Sequence, residues 1–462
     1  MNSTTSRRKF LKAATLSSAL FGTSSPFAHA QETRKSNDNR GVPKKVIFMV
    51  SDGMNHGALS LAQHSRALFD RRTTHWMQLY QEKPAVRALV ETFSANSIVT
   101  DSAAAASAWG GGQRVDNGTI NIDPASGKPI APLQSLLKER GIPTGLVSTA
   151  TITHATPAGF AANTPTRGDQ QLIAQQYHQR GVEVLLGGGR QFFPGELLRK
   201  FSKDGYQILN NRRELLDAKN PRQPLLGLFS PGHIPLAIDR EAQKNLQETV
   251  PSLAEMAQIA VGRLDTLTSG QWFLMVEGAR IDHCGHANDA CGSIREQLAF
   301  DDAIGAMLAY AATREDVLVI ITTDHGCGGI QLNGVNARPD QGMAPGIYTG
   351  TTPAFKKIAG FNRSFEWLAN AGSGLSGPPL RDYLAKHTGI ALSKDELKMA
   401  QGLKGNVLAD IFGRHHGITW TGGNHTADLA EFCAYGPGSH QFPGFMKNTD
   451  VHGHLLRALA IA

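Results

Sequence analysis

Lys45-Val-Ile-Phe-Met-Val50, followed at once by Ser51-Asp-Gly53, is the stretch on which the fold turns. A near-continuous apolar run suits a strand covered on both faces, as in a parallel sheet, and an acid where that strand stops marks the edge on which open α/β folds gather their sites. The same grammar recurs at Gly145-Leu-Val-Ser-Thr149 before His154, at Trp272-Phe-Leu-Met-Val276 before Glu277, and at Val317-Leu-Val-Ile-Ile-Thr322 before Asp324-His325. Helix candidates lie between the runs: Leu133 to Arg140, Gln170 to Arg180, Ser252 to Thr268 and Ser293 to Ala312. Strands alternating with helices predict an α/β fold, a three-layer α/β/α arrangement around a large, mostly parallel central sheet. Residues 326–423 break the rhythm with Gly, Pro, Ser and short helical pieces such as Ser393 to Gln401, and read as a cap or crown-like insertion.

At 462 residues with 41% apolar side chains, the chain can bury one large domain with insertions, or two domains. Ser6-Arg-Arg-Lys-Phe-Leu-Lys12, a weak apolar stretch and Ala28-His-Ala30 form a twin-arginine signal pattern, so residues 1–30 read as an export signal for a periplasmic or secreted protein. A flexible segment, 31–43, precedes one large domain over 44–462. The apolar part of the signal is too interrupted for a stable membrane anchor, and no later stretch reaches spanning length. The formal net charge of +7 includes Arg7, Arg8, Lys9 and Lys12, and 7 minus these 4 leaves +3 from Gln31 onward, which is no nucleic-acid signature. Four cysteines, Cys284, Cys291, Cys327 and Cys433, leave two disulfides open in an exported protein, with Cys284 and Cys291 the closer pair in sequence.

Two kinds of chemical residue stand out. Val99-Thr-Asp-Ser-Ala-Ala-Ala-Ala-Ser-Ala108 places Ser102 behind an acid at the start of a small-residue helix, where free N–H groups and the dipole favour an anion. Taken alone, the segment reads equally as an Asp-Ser cap before a buried alanine helix. Metal-type ligands form the second kind: Asp52; Glu277, Asp282 and His286; Asp324 and His325; and His425 in Gly422-Gly-Asn-His-Thr426. Each alone fits a salt bridge or a cap. Together they supply a His/Asp set suited to Zn²⁺ and an all-oxygen set of Asp, Glu and Thr suited to Mg²⁺.

Six segments carry a resemblance: Met49-Val-Ser-Asp-Gly-Met54, Val99 to Ser107, Thr153-His-Ala-Thr-Pro-Ala158, Met275-Val-Glu-Gly-Ala-Arg-Ile-Asp282, Thr322-Thr-Asp-His-Gly326 and Ala434-Tyr-Gly-Pro-Gly438. In this order, and along nearly the whole chain after the signal, they resemble the alkaline phosphatase family. The resemblance implies hydrolysis of phosphate monoesters through a covalent phosphoserine, with two Zn²⁺ and one Mg²⁺. Carried over residue by residue, it gives Asp282, His286 and His425 to the first zinc. Asp324, His325 and Asp52 go to the second, and Asp52, Thr156 and Glu277 to magnesium. Ser102 is similar to the family nucleophile, Arg167 to the guanidinium that clamps the phosphate, and Asp101 to the acid that orients that arginine. Arg167 has little local pattern beyond its distance from Thr156.

His154 and His283 stand where some members have an acid and a lysine and others have histidine at both. The resemblance gives them a part in tuning the magnesium water and phosphate release, and the bare sequence reads them as loop histidines. Ser107 replaces a common threonine. The long interval between His325 and His425 implies a crown-like subunit contact by analogy, which leaves a homodimer open. Rival readings are a phosphodiesterase or sulfatase of the same superfamily, and a non-catalytic phosphate- or metal-binding protein. Sulfatases need a Cys/Ser-x-Pro-x-Arg run that Ser102 lacks, and the related diesterases usually carry a threonine nucleophile without the magnesium ligands.

Overall fold

The computed structural model describes residues 41–218, 222–333 and 351–461. Residues 1–30, which the sequence reads as an export signal, and most of the segment 31–43 lie outside them. Ten strands form the central sheet: β1 (Lys45–Val50), β2 (Val86–Glu91), β3 (Thr144–Thr151), β4 (Val184–Gly188), β5 (Gln207–Leu209), β6 (Leu225–Leu228), β7 (Trp272–Glu277), β8 (Val317–Thr322), and, after the short β9 (Gly326–Cys327), β10 (Gln331–Leu332), β11 (Ile418–Thr419) and β12 (His425–Thr426), the last two, β13 (Ala430–Tyr435) and β14 (Phe445–Lys447). Their order is β14-β2-β13-β8-β1-β7-β3-β4-β6-β5. Only β13 runs against its neighbours β2 and β8.

The apolar runs are continuous because each strand is buried on both sides. Along β1, Ile47 and Met49 join the core on one face, while Val46, Phe48 and Val50 join the core on the other. Strands β7 and β8 divide in the same way, with Leu274 and Val319 on one side and Phe273 and Ile320 on the other. The result is the three-layer α/β/α architecture. At the carboxyl edge the register aligns Thr322, Val50, Glu277 and Ser148 in one row across β8, β1, β7 and β3. Asp52, Asp324 and His325 follow within three residues of that row.

The predicted helices are present with small boundary shifts. Helix Leu253–Leu267 starts at a Ser252/Glu255 capping box. Helix Ala290–Ala312 starts three residues earlier than its periodicity suggests, because Asp289 caps it. Residues 351–416 carry five short α-helices, and Phe355, Phe365, Leu384 and Phe412 belong to the same buried core as the sheet face beneath them. Two buried carboxylates stitch this segment down: Asp239 accepts from the Ser364 N–H and hydroxyl, and Asp289 accepts from the Phe365 N–H at 2.7 Å. No disulfide forms among the cysteines: all four are buried free thiols. No helix among the described residues is long and apolar enough to cross a membrane.

Glu296, inside helix Ala290–Ala312, is buried and accepts from the Ala237 N–H at 2.5 Å. Burial pushes its carboxyl up to about 7 against the opposing pull of the Ala237 N–H. Because the folded value lies above the unfolded one, its contribution is fully present below about pH 4.5 and lost as pH rises through about 7. Glu296→Gln should flatten that slope and raise stability above pH 7 by up to about 3 kcal/mol. Thermal midpoints of the two proteins across pH 5 to 8 check this, and parallel curves would remove Glu296 as the cause.

Candidate active site

Helix Ser102–Gly111 has no polar face, being packed on all sides. Its N-cap Asp101 accepts from the Ala104 N–H through one carboxylate oxygen, and from the Gly118 N–H and Arg167 Nη1 (2.9 Å) through the other. Ser102 is therefore free of capping duty. Its side chain is 1% exposed, and its Oγ lies 3.1 Å from His325 Nε2. His325 Nδ1 faces the Gly326 carbonyl at 3.3 Å, and its Nε2 points at both the serine and, at 3.1 Å, Asp324 Oδ2.

The helix lies against helix Ala155–Ala161 at backbone contact. A Cβ on Gly159 would come within 2.5 Å of Ala106 Cβ, and one on Gly110 within 2.0 Å of the Gly159 carbonyl. This contact fixes Ser102 relative to Thr156, which lies on the second helix. Gly159→Ala should lower stability by at least about 1–3 kcal/mol and depress activity with it. Gly262→Ala, in open space inside helix Leu253–Leu267, should instead stabilise by up to about 1 kcal/mol. Melting curves and turnover of the pair check the contrast.

One group of ligand atoms, Asp52 with Asp324 and His325, meets beside Ser102, and a second, Asp52 with His154 and Glu277, shares Asp52 with it. A third comprises Asp282, His286, Cys327 and His425. Asp282 and His286 are one turn apart on helix Arg280–Ala287, and β12 brings His425 beside them. His286 Nδ1–H donates to the Gly423 carbonyl and His425 Nδ1–H to the Thr100 carbonyl, so both Nε2 atoms turn inward, 3.0 Å apart. Asp282 stands 3.3 and 3.4 Å from them.

The electrostatics of this edge call for cations. Burial, with Asp324, Asp282 and Glu277 nearby, holds the Asp52 carboxyl well above its usual range. Burial lifts Glu277 to about 7, although Ser148 donates to it at 2.5 Å. Burial alone would also raise Asp282, but the two imidazoles hold it well below, and Asp282 in turn lifts His286 to about 9. Both Asp52 oxygens, Thr156 Oγ1, Glu277 Oε1, Asp282 Oδ1 and Asp324 Oδ2 are buried without a hydrogen-bond partner. Unpaired oxygens of this kind are costly beside one another and become favourable around divalent ions. The donor sets fit such ions.

Arg167 is brought in by contacts distant in sequence: an Ile120–Thr164 bridge and its own N–H on the Gly118 carbonyl. Its Nη2 donates to His154 Nε2 at 3.3 Å. His154 and His283 stand with a third imidazole that sequence reasoning missed, His233; the ring centroids are 5.6 Å apart for His154 with either partner and 4.4 Å for His233 with His283. His233 follows β6 in Phe229-Ser-Pro-Gly-His233, the same strand-then-polar signal seen elsewhere. Arg280 was missed too. It donates to His283 Nδ1 at 2.7 Å and to Glu366 at 2.6 Å, linking the site to helix Phe365–Ala371. Burial and Arg280 hold His283 near 3 and His233 near 4, while burial and Arg167 hold His154 well below its ordinary value. All three are neutral donors and acceptors at neutral pH.

A doubly wound sheet whose carboxyl edge gathers unpaired acids and imidazoles around one helix-borne hydroxyl defines a metal-dependent enzyme. The family model described as Alkaline phosphatase matches residues 43–461, and the chain belongs to that family of metal-dependent phosphatases. Alkaline phosphatase 3 of Bacillus subtilis is 31% identical over 477 residues, covering 98% of this chain and 97% of its own. The crystal structure of Thermus thermophilus alkaline phosphatase superposes with a TM-score of 0.81 at 29% identity, over 94% of this chain and 96% of that one. A variant of the alkaline phosphatase from the Antarctic bacterium TAB5, with Mg bound in its M3 site, gives a TM-score of 0.65 at 26% identity, over 91% and 98%.

Proposed function

We propose that the protein hydrolyses phosphate monoesters to an alcohol and inorganic phosphate through a phosphoserine at Ser102. The observation that carries this reading is the placement of Ser102 Oγ: at a helix N-terminus and against His325 Nε2, which itself belongs to a buried group of ligand atoms with Asp52 and Asp324. Asp282, His286 and His425 would hold one zinc; Asp324, His325 and Asp52 a second; and Asp52, Thr156 and Glu277 a magnesium, in line with the Mg carried by the TAB5 variant. Bound there, such ions supply Lewis-acid neutralisation of the phosphoryl oxygens and lower the pKa of a hydroxyl or water.

The chain's own residues do the rest. Arg167, held by Asp101 at 2.9 Å, presents its guanidinium to two phosphoryl oxygens. The first turn of helix Ser102–Gly111 adds N–H groups and a partial positive charge. Ser102 Oγ gives its proton to water and attacks phosphorus, and the ester P–O bond breaks, the departing oxygen taking a proton from water to leave as the alcohol. Water then attacks the phosphoserine, the P–Oγ bond breaks, and Oγ regains a proton. His154 and His283, neutral and donor-bearing, would orient the waters and the departing phosphate.

Residues 1–30 are proposed as a twin-arginine signal directing the folded protein to the periplasm or beyond. Residues 44–462 are proposed as the catalytic unit, with 326–423 as an insertion and a candidate homodimer contact. The test is a rate comparison of an aryl phosphate monoester, a diester and a sulfate, with acid trapping of labelled phosphate on the protein. A strong monoester preference and label on Ser102 are expected. A diester preference, or no trapped label, would overturn the reading.

A further inference from the structure

Cys327 has no part in the zinc and magnesium sets proposed above, yet its Sγ lies within 4.8 Å of a ligand atom from each of Asp282, His286 and His425. The placement follows from the backbone. Strands β9 and β12 pair antiparallel with Cys327 opposite His425, so the two side chains leave the same face of that ribbon. Asp282 and His286 arrive from the facing helix. The thiol is seated against the backbone of that helix: a Cβ on Gly285 would fall 2.8 Å from both Cys327 Cβ and Sγ. It is 2% exposed and in no disulfide. A cysteine alone would say little. Asp282 Oδ1 is buried without a hydrogen-bond partner and part of the same group, and the His286 and His425 Nε2 atoms stand 3.3 and 3.4 Å from the Asp282 carboxylate.

We propose that Cys327 Sγ is a fourth donor for a thiophilic divalent cation at this site, completing an Asp-His-His-Cys set. The inference rests on the reading of Asp282, His286 and His425 as metal ligands and adds to it. Two ligands from one helix turn and two from a cross-strand pair meet the requirement of a four-coordinate ion, and a thiolate favours zinc, cobalt or cadmium over harder ions. On binding, the Sγ–H proton passes to water and the sulfur coordinates as thiolate. A set of four protein donors is closed, whereas a catalytic ion keeps one position open. Cys327 would thus retain the ion when substrate is absent, and withdraw or accept a fifth partner when substrate arrives.

The test uses the full chain, stripped by chelation and reloaded with Co²⁺ alone. The expected result is a thiolate-to-cobalt charge-transfer band in the near ultraviolet together with visible d–d bands. Cys327→Ser should lose the charge-transfer band and keep the d–d bands, while Cys284→Ser should keep both. Zinc should leave the Cys327→Ser protein for a chelator at least about tenfold faster than it leaves the parent. Cobalt bound with d–d bands but no charge-transfer band in the parent would overturn the role of Cys327 and leave the three-ligand site standing. Failure to bind cobalt at all would overturn the site and the proposal together. The parent spectrum decides even if a variant misfolds.

Discussion

Ser102→Ala should lose turnover of an aryl phosphate monoester by about a thousandfold or more while keeping its metal content and its melting temperature. Removing a nucleophile leaves the positioning and the charge neutralisation intact, so a small residual rate from direct attack by water is expected, well above the uncatalysed one. The fold should tolerate the change. The helix cap is supplied by Asp101, the only hydrogen bond lost is that of Ser102 Oγ with His325 Nε2, and alanine is the best helix former. Metal analysis, a melting curve and the rate separate loss of chemistry from loss of structure. Undiminished turnover would remove Ser102 from the reaction.

The second large effect is expected at Asp52. Among the described residues it is the one side chain shared by two of the ligand groups, fully buried, with neither oxygen in a hydrogen bond. Asp52→Asn preserves the volume but removes a charge that both groups use, so activity should fall by about three orders of magnitude or more. Occupancy should drop beside Glu277 and beside Asp324, with the Asp282 group still filled. Chelation of the parent should abolish activity, and zinc with magnesium should restore it. The stripped protein should also become less stable as pH rises. Its Glu277 carboxyl, lifted to about 7, stabilises the fold only while protonated, and that contribution is lost through neutral pH. Metal content by elemental analysis and midpoints at pH 5 and 8 check both statements.

The central strands and the turns with acids and imidazoles after them are legible because burial on both faces writes an unbroken apolar run, and an acid at its end is conspicuous. What escaped depends on contacts remote in sequence. β13 sits antiparallel between β2 and β8, yet its Glu431 and the Arg87 of β2 blur any apolar pattern, since they pair beside Tyr80. Arg167 had almost no local signal because its position is set by the bridge between Ile120 and Thr164. His233 did carry the strand-then-polar signal, at the end of a four-residue strand too short to stand out. Arg280 lay inside a recognised segment, but its link to Glu366 spans 86 residues. The interval 326–423 reads as an insertion by composition, while the apolar side chains of its described helices, Phe355, Phe365, Leu384 and Phe412 among them, merge with the core beneath, because short helices hide their buried face among glycines and serines.

The row that aligns Thr322, Val50, Glu277 and Ser148 has a consequence for how freely this chain can vary. Adjacent strands are held about 4.8 Å apart by main-chain hydrogen bonds, whatever side chains they carry. Lateral spacing of the acids at the ends of β8, β1 and β7 is therefore a ruler graduated by the peptide backbone. Helices may be exchanged, the segment after β8 may lengthen, and surface charge may drift without rescaling that ruler. A single-residue deletion within β1 or β7 would break it, because it would shift Asp52 or Glu277 by one residue against the neighbouring strands and turn the alternation to the other face.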